Sequence, residues 1–480
     1  MPDRKSILQA IAKEEERLSR LEQEREQTRS RIKDFKRQLA TVEAACAEPP
    51  TAYAAKTPKE KVVLFRSLFR GREDVFPKLW ISRTGKKGYS PACTNDWATG
   101  VCGKTRKPPI KCSECSNRNF LPVTDQVIID HLQGRHVIGI YPMLPDDTCC
   151  FLVADFDKET WMDDVSAFHE TCRNMKIPMA VERSRSGNGA HAWFFFTEPV
   201  PAATARTMGC YLITETMSRR HQLSMESYDR LFPSQDTLTK GGFGNLIALP
   251  FQQEPRQKNN TVFLDESFTP YEDQWTYLAS IGRLSPDVLQ RIATEAIRQG
   301  DVLGVPRDSA ENGDDHSPWN RPASKKIPKK KINGIFPSET HGVFAQRIFI
   351  EKKGLPSPFL TPIKRLASFQ NPMFYEKQNL RLSTARIPRV ISCHEEYPEH
   401  IAVPRGCIDD VRELFSEQGV KLLLEDKRVA SAHLSFVFQG TLREPQQEAI
   451  NEILKYENGV LSAPPGFGKT VIDDKAKFCS

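Results

Sequence analysis

Three apolar runs limit what this chain can become: CCFLVADFD at 149–157, AHAWFFF at 190–196 and GNLIALPF at 244–251. Each is far short of the roughly 18 residues that a membrane span needs. They lie within residues 58–300, a stretch that mixes helical and strand patterns and reads as the main folded unit. At 480 residues the chain has room for two to four domains of roughly 100 to 200 residues each. With 39% hydrophobic and 27% charged residues it is not an integral membrane protein. Its first residues, MPDRKSILQAIAKEEERL, are too charged for a signal peptide. Twelve cysteines without an export signal point to the cytoplasm, where close cysteine clusters bind metal more often than they form disulfides. The excess of Lys and Arg over Asp and Glu, seven in all, permits a nucleic-acid partner without demonstrating one.

Residues 4–46 contain neither Pro nor Gly. Placing Ile11, Leu18, Arg25, Ile32 and Leu39 at position a, and Ile7, Glu14, Leu21, Thr28, Phe35 and Val42 at d, makes most seam positions apolar. This predicts a coiled coil over 1–46 and self-association through it, against the simpler alternative of an amphipathic helix docked on its own globule. The prolines of AEPPTAYAAKTP end the helix. Further on, 301–334 is rich in Pro, Lys and Asp and reads as a linker. Residues 335–436 read as a small mixed module, and 437–480 begin a further unit.

In PACTNDWATGVCGKTRKPPIKCSEC, Cys93, Cys102, Cys112 and Cys115 fall within one basic, loop-rich segment, 88–122. A C-x2-C turn converges two thiolates on one ion, and four thiolates complete a tetrahedral structural zinc site with no open position for chemistry. Buried or redox-active thiols are the alternative. His131 and His136 nearby read as ordinary core or surface histidines.

The run ending in Asp155 and Asp157 puts two carboxylates at i and i+2. Both then project from one face of a strand, with Phe156 on the other. Crowded carboxylates repel unless a cation such as Mg²⁺ or Mn²⁺ neutralises them. A strand-end turn or a helix N-cap is the plainer explanation of D-x-D taken alone. About thirty residues later, VERSRSGNGAHAWFFF reads strand, glycine turn, strand. Arg183 and Arg185 share a strand face, Gly187 and Gly189 let backbone amides approach an anion, and His191 opens the second strand. Such a hairpin can hold a triphosphate, with His191 donating to a phosphate oxygen. A third acid, Asp229, follows in MESYDRLFPSQD, with Asp236 as its rival. Three acids sharing metal ions suit a site where one ion activates a 3′-hydroxyl and another holds incoming phosphates.

These motifs resemble the archaeo-eukaryotic primase-polymerases, whose acidic pair, small-residue turn ending in His and later Asp match Asp155 with Asp157, SGNGAH and Asp229. The likeness is closest to the primase domain of TOTE conflict systems, through CTNDW, GVCGK, KCSEC, YPMLPDDTCCFLVADFD, ERSRSGNGAHAWFFF and DRLFPSQDTLTKGGFGNLIALP, over roughly 60–300. The resemblance implies an α+β fold, with an RRM-like catalytic sheet and an accessory α/β subdomain. It also implies template-directed polymerisation with divalent metal. Carried over, Asp155, Asp157 and Asp229 bind metal, while Ser186 and His191 contact the incoming nucleotide. Asn188 stands where some relatives have a basic residue. A different class of function is a catalytically idle module that binds nucleic acid or nucleotide within a defence or mobile-element system.

LREPQQEAINEILKYENGVLSAPPGFGKTVI reads helix, strand, glycine-rich loop. Ala463 to Thr470 form A-x4-G-K-T, in which Gly466, Gly468 and Lys469 would cradle the phosphates of ATP and Thr470 would reach Mg²⁺. Gln446 and Gln447 resemble an adenine-reading Q motif of superfamily 2 helicases. With only ten residues beyond this loop, the chain reads as a truncated primase-helicase without ATPase activity. Together the motifs predict a primase or primase-polymerase that takes single-stranded DNA or RNA as template and nucleoside triphosphates as substrates.

Overall fold

The computed structural model describes residues 55–299 apart from 83, 106, 107 and 158. It also describes 302, 332, 334–428, 440–456 and 460–472, and six separate positions between 17 and 31. Those six, Arg17, Arg20, Leu21, Glu24, Thr28 and Arg31, are helical and exposed. The other positions of the expected coiled coil, and nearly all of the 301–334 linker, lie outside the described residues. Among the described residues no helix is long and apolar enough to cross a membrane.

The chain divides into two units, one of residues 1–61 with 275–280 and one of 62–274 with 281–480. In the first, the Glu60 carboxylate accepts the backbone amides of Lys56 and Thr57 at 2.8 and 3.0 Å, capping the start of helix α1 (Pro58–Leu68). The Lys61 ammonium lies 5.4 Å from the Trp275 ring centroid.

The second unit opens with a hairpin, β1 (Pro77–Ile81) and β2 (Lys87–Pro91), followed by helix α2 (Asp125–Leu132). Its main sheet then grows from the apolar runs seen in the sequence. Strand β3 (Thr148–Asp157) leads into helix α3 (Trp161–Asn174), β4 (Ala180–Arg183) and the long β5 (Gly189–Pro201). Helix α4 (Ala202–Met217), β6 (Leu231–Phe232), β7 (Phe263–Leu264), β8 (Arg283–Leu284) and helix α5 (Pro286–Gln299) complete it. The strand order is β6-β3-β5-β4-β7, with β8 running parallel to β5.

Both faces of this sheet are covered, which is why its central strands are apolar almost throughout. On one face Phe168 of α3 packs against Phe156 and Phe194, at ring-centroid distances of 5.1 and 5.9 Å. On the other, Phe69 meets Trp193 and Phe195 edge-on at 4.9 and 5.4 Å. Trp193, Phe151 and Phe194 are fully buried, each contributing about 2–3 kcal/mol of apolar burial. His131 is also a core residue: Nε2 lies 2.8 Å from the Pro250 carbonyl, Nδ1 accepts the Ile138 amide, and burial pushes its pKa down to about 4.

A second sheet follows, built from β9 (Glu339–Phe344), β10 (Ile348–Glu351), β13 (Glu395–Glu396), β14 (His400–Val403) and β15 (Lys421–Asp426). Its order is β13-β14-β10-β9-β15, and helices α6 (Ser357–Leu366) and α8 (Ile408–Glu417) share a core with it through Phe359, Ile363, Val411 and Phe415. Between these elements run β11 (Ser368–Gln370), helix α7 (Pro372–Asn379) and β12 (Val390–Ser392). The 335–428 part of this module is bonded to the 147–240 region at many points. Thr361 donates to the Met217 carbonyl at 2.7 Å, Gln235 to Thr384 at 2.6 Å, and Arg381 to Asp147 at 2.7 Å. Helix α9 (Glu444–Ile453) closes the described elements.

Candidate active site

The register of the main sheet gathers the candidate residues. On β3 and β5 Asp155 sits directly opposite His191, and on β4 and β5 Glu182 also sits opposite His191. The Asp155 amide bonds to the carbonyl of Arg230, the residue just before β6. Since side chains alternate faces along a strand, residues paired across strands share a face. The result is a transverse row across four neighbouring strands, Glu182, His191, Asp155 and Arg230. His191 Nδ1 lies 3.0 Å from Glu182 Oε2, and Nε2 lies 3.8 Å from Asp155 Oδ1. The Arg230 guanidinium reaches Asp155 at 3.4 Å and Asp157 at 2.5 Å.

Glu182 is buried, and Trp193 Nε1 donates to the same Oε2 at 2.8 Å, so this carboxylate is fixed from two sides. Burial works against a charged His191, but the Glu182 carboxylate and, further off, Asp155 outweigh it and hold the imidazole above its ordinary value. For Asp155 burial dominates: it raises the carboxyl, with His191 and Arg230 pulling the other way. Glu182 and Arg230 were missed in the sequence. An acid two residues before the serine-glycine turn and an arginine beside Asp229 are visible there, but only the strand register shows that they meet His191 and Asp155.

The turn between β4 and β5 is tight. The Ser184 amide bonds to the Gly189 carbonyl at 2.8 Å, Gly187 has φ +83°, and the Asn188 amide donates to Ser186 Oγ at 3.2 Å. A side chain at Gly189 would place its Cβ 2.5 Å from the Phe156 carbonyl oxygen, so only glycine lets this hairpin close against the Asp155–Asp157 strand end. Ser186 is exposed, and the Arg185 guanidinium lies near enough to the Tyr89 hydroxyl of β2 to work against the rise that burial imposes on it. Arg183 is not brought to this group. It alternates with Glu182, so it lies on the opposite face, where its guanidinium donates to the carbonyls of Asn259 and Phe268 at 3.3 and 2.8 Å.

The two candidate third acids differ sharply. Asp229 ends a 3₁₀ turn (Met225–Asp229), and its Oδ1 accepts the Arg389 backbone amide at 2.7 Å. Burial raises its carboxyl, against the pull of that amide and of the neighbouring arginines. Asp236 belongs to a buried ion network. It lies 3.1 Å from Arg206 Nε and 3.2 Å from Arg389 Nη2, with Gln378 donating at 2.8 Å. That network ties 206–236 to the 372–392 segment and leaves Asp236 no role at the row.

Among the described residues no three His, Cys, Asp or Glu side chains form a ready-made metal cluster. The acidic pair nevertheless fits a cation. The Arg230 guanidinium already bridges Asp155 and Asp157, and two carboxylates turned to one positive group are a donor set for a hard divalent ion. In the cysteine segment, Cys102 and Cys115 lie close enough to Cys112 to add to the rise that burial imposes on its thiol. Cys93 Sγ accepts the Asn119 amide at 3.3 Å. In the glycine-rich loop, Gly466 and Gly468 have φ +78° and +87°, and Lys469 Nζ bonds to the Ala463 and Pro464 carbonyls at 3.0 and 3.1 Å. Thr470 lies in a helical turn over 469–472. Among the described residues the strand expected before this loop is not formed. Residues 460–464 are irregular and Val460 is 96% exposed, because no described strand pairs with them. Gln446 donates to the Phe467 carbonyl at 2.7 Å, while Gln447 bonds to Asn451 on its own helix.

No curated protein matches the chain. Among solved structures it is similar to the polymerase domain from Mycobacterium tuberculosis ligase D in complex with DNA, at 13% identity and a TM-score of 0.26, over 50% of this chain and 90% of that one. Residues 60–292, which contain the whole Glu182–His191–Asp155–Arg230 row, match the family described as the archaeo-eukaryotic primase domain of the TOTE conflict system.

Proposed function

We propose that this protein catalyses template-directed nucleotidyl transfer on single-stranded nucleic acid, as a primase or primase-polymerase of a conflict or mobile-element system. The observation that carries the reading is the Glu182–His191–Asp155 row with Asp157 beside it, at the mouth of a glycine turn. The family match over 60–292 supports nucleotidyl transfer in general.

Asp155 and Asp157 would hold the divalent metal, with Asp229 as the third ligand once released from the Arg389 amide. Bound there, Mg²⁺ or Mn²⁺ supplies activation of the 3′-hydroxyl and neutralisation of the triphosphate charge. Arg230 yields its place between the two acids and serves as a cation toward the phosphates. Glu182 fixes the ring of His191 so that Nε2 points across the site, and the imidazole donates from it to a phosphate oxygen. Ser186 and Arg185 hold the triphosphate at the turn. The expected result is strand products from a single-stranded template with labelled nucleotides and Mn²⁺ or Mg²⁺, lost on chelation and restored by adding metal. No product with either deoxy- or ribonucleotides, in the presence or absence of a primer, would overturn the reading.

Cys93, Cys102, Cys112 and Cys115 would hold a structural zinc that orders the 88–122 loops without taking part in chemistry. Elemental analysis should then find about one zinc per chain after gentle purification. A metal-free protein with undiminished stability would remove this assignment.

A further inference from the structure

Positive charge outweighs negative in the segment that carries the four clustered cysteines. Residues 77–122 carry nine Lys and Arg against two Asp and Glu, a local excess of seven. Within it, Lys78, Lys86 and Lys87 are exposed on the β1–β2 hairpin. A flexible anion such as a nucleic-acid backbone binds where such charge is gathered, with release of counterions.

The same segment also exposes an aromatic face. Trp97 is 53% exposed and sits at φ 60°, a left-handed conformation that is an outlier for a bulky side chain. Trp80 meets it edge-on, with ring centroids 6.5 Å apart, and the Lys104 ammonium lies 5.0 Å from the Trp97 centroid while pairing with Asp96 at 2.6 Å. Gly88 makes room for this arrangement, since a Cβ there would come within 2.6 Å of the Trp80 ring. A strained backbone that holds an indole half in water, braced by a second indole and a cation, is a poor device for stability and a suitable one for stacking. Unpaired bases offer their faces to such a ring and bases in a duplex do not, so charge and stacking together select a single strand. The hairpin also adjoins the candidate site, because the Tyr89 hydroxyl lies near Arg185 of the glycine turn.

We propose that residues 77–122 form a single-stranded nucleic-acid platform, in which a base stacks on Trp97 and the lysines of the β1–β2 hairpin track the phosphates toward the Ser184–Gly189 turn. Naming the bound strand as the template rests on the nucleotidyl-transfer reading; the binding itself does not.

The test is binding without turnover, using fluorescence anisotropy of a labelled oligothymidylate, the matching oligouridylate and a duplex of the same length on the full chain. Trp97→Ala should weaken single-strand binding about tenfold, and Trp97→Phe, which keeps an aromatic face, should restore most of it. Restoration also excludes collapse of the segment as the cause. Replacing Lys86 and Lys87 with Ala should reduce the slope of log affinity against log salt by about 0.7 for each phosphate that a lysine no longer neutralises. Binding of either single strand with these dependences supports the platform, and the preferred one identifies its sugar. Equal binding by Trp97→Ala and the parent, or tighter binding to the duplex than to either single strand, would overturn it. If the parent protein binds oligonucleotide in this way but makes no strand products, the nucleotidyl-transfer reading falls and the platform stands.

Discussion

Asp155→Ala is expected to reduce nucleotide incorporation at least about a thousandfold while leaving the protein folded. Asp155 lies at the centre of the row, 3.8 Å from His191 Nε2 and 3.4 Å from Arg230, and with Asp157 it forms the carboxylate pair that jointly faces a cation there. Losing a preorganised group at the point where charge develops costs on this scale. The fold should survive because each neighbour keeps another partner. Arg230 retains Asp157 at 2.5 Å, and His191 retains Glu182 at 3.0 Å. Asp155→Asn, which preserves shape but not charge, should be almost as inactive. The measurement is single-turnover extension at saturating metal, with thermal unfolding of parent and variants alongside. Product from Asp155→Ala at the parental rate would sink the assignment.

The second large effect concerns stability. Asp236→Ala would leave Arg206 and Arg389, only 2% and 1% exposed, without the carboxylate that compensates both. Breaking a buried ion group by removing one member costs about 3–5 kcal/mol, because the remaining charges stay desolvated. Chemical denaturation should show a loss of this size in the transition that covers the 206–236 and 372–392 segments. Asp236→Asn should recover only part of it. The pH dependence follows from the same pairing. Burial alone would raise the Asp236 carboxyl, but Arg389 and Arg206 hold it below its ordinary value of 3.8. The folded state therefore binds this proton less readily than the unfolded state. The stabilisation is complete above the ordinary value and is lost as pH falls from there through the lowered one. The variant should lack that acid-side decline, and an unchanged midpoint would refute the account.

Some of this was legible in the residues and some was not, for physical reasons. Period-two alternation is local, so the shared face of Asp155 and Asp157 and the burial of Phe156 could be read directly. The glycine turn and the position of His191 at the start of β5 were likewise local. Strand pairing is not local. Nothing in VERSRSGNGAH shows that Glu182 rather than Arg183 turns toward the histidine until β4 is set against β5. The contrast between Asp229 and Asp236 depends on Arg389, about 150 residues away, whose amide engages one acid and whose guanidinium neutralises the other. Among the described residues the stretch before the glycine-rich loop forms no strand for a related reason, since an apolar run becomes a strand only where a neighbour offers its backbone.

The transverse row has one more consequence. Its four members come from four adjacent backbones, so no single loop carries the chemistry and none could transplant it to another scaffold. Adding or deleting one residue inside β3, β4 or β5 would rotate that contributor to the far side of the sheet and break the row at one position. Tolerated changes in length should therefore fall in the connecting segments, leaving these strands as a fixed ruler against which the site is measured.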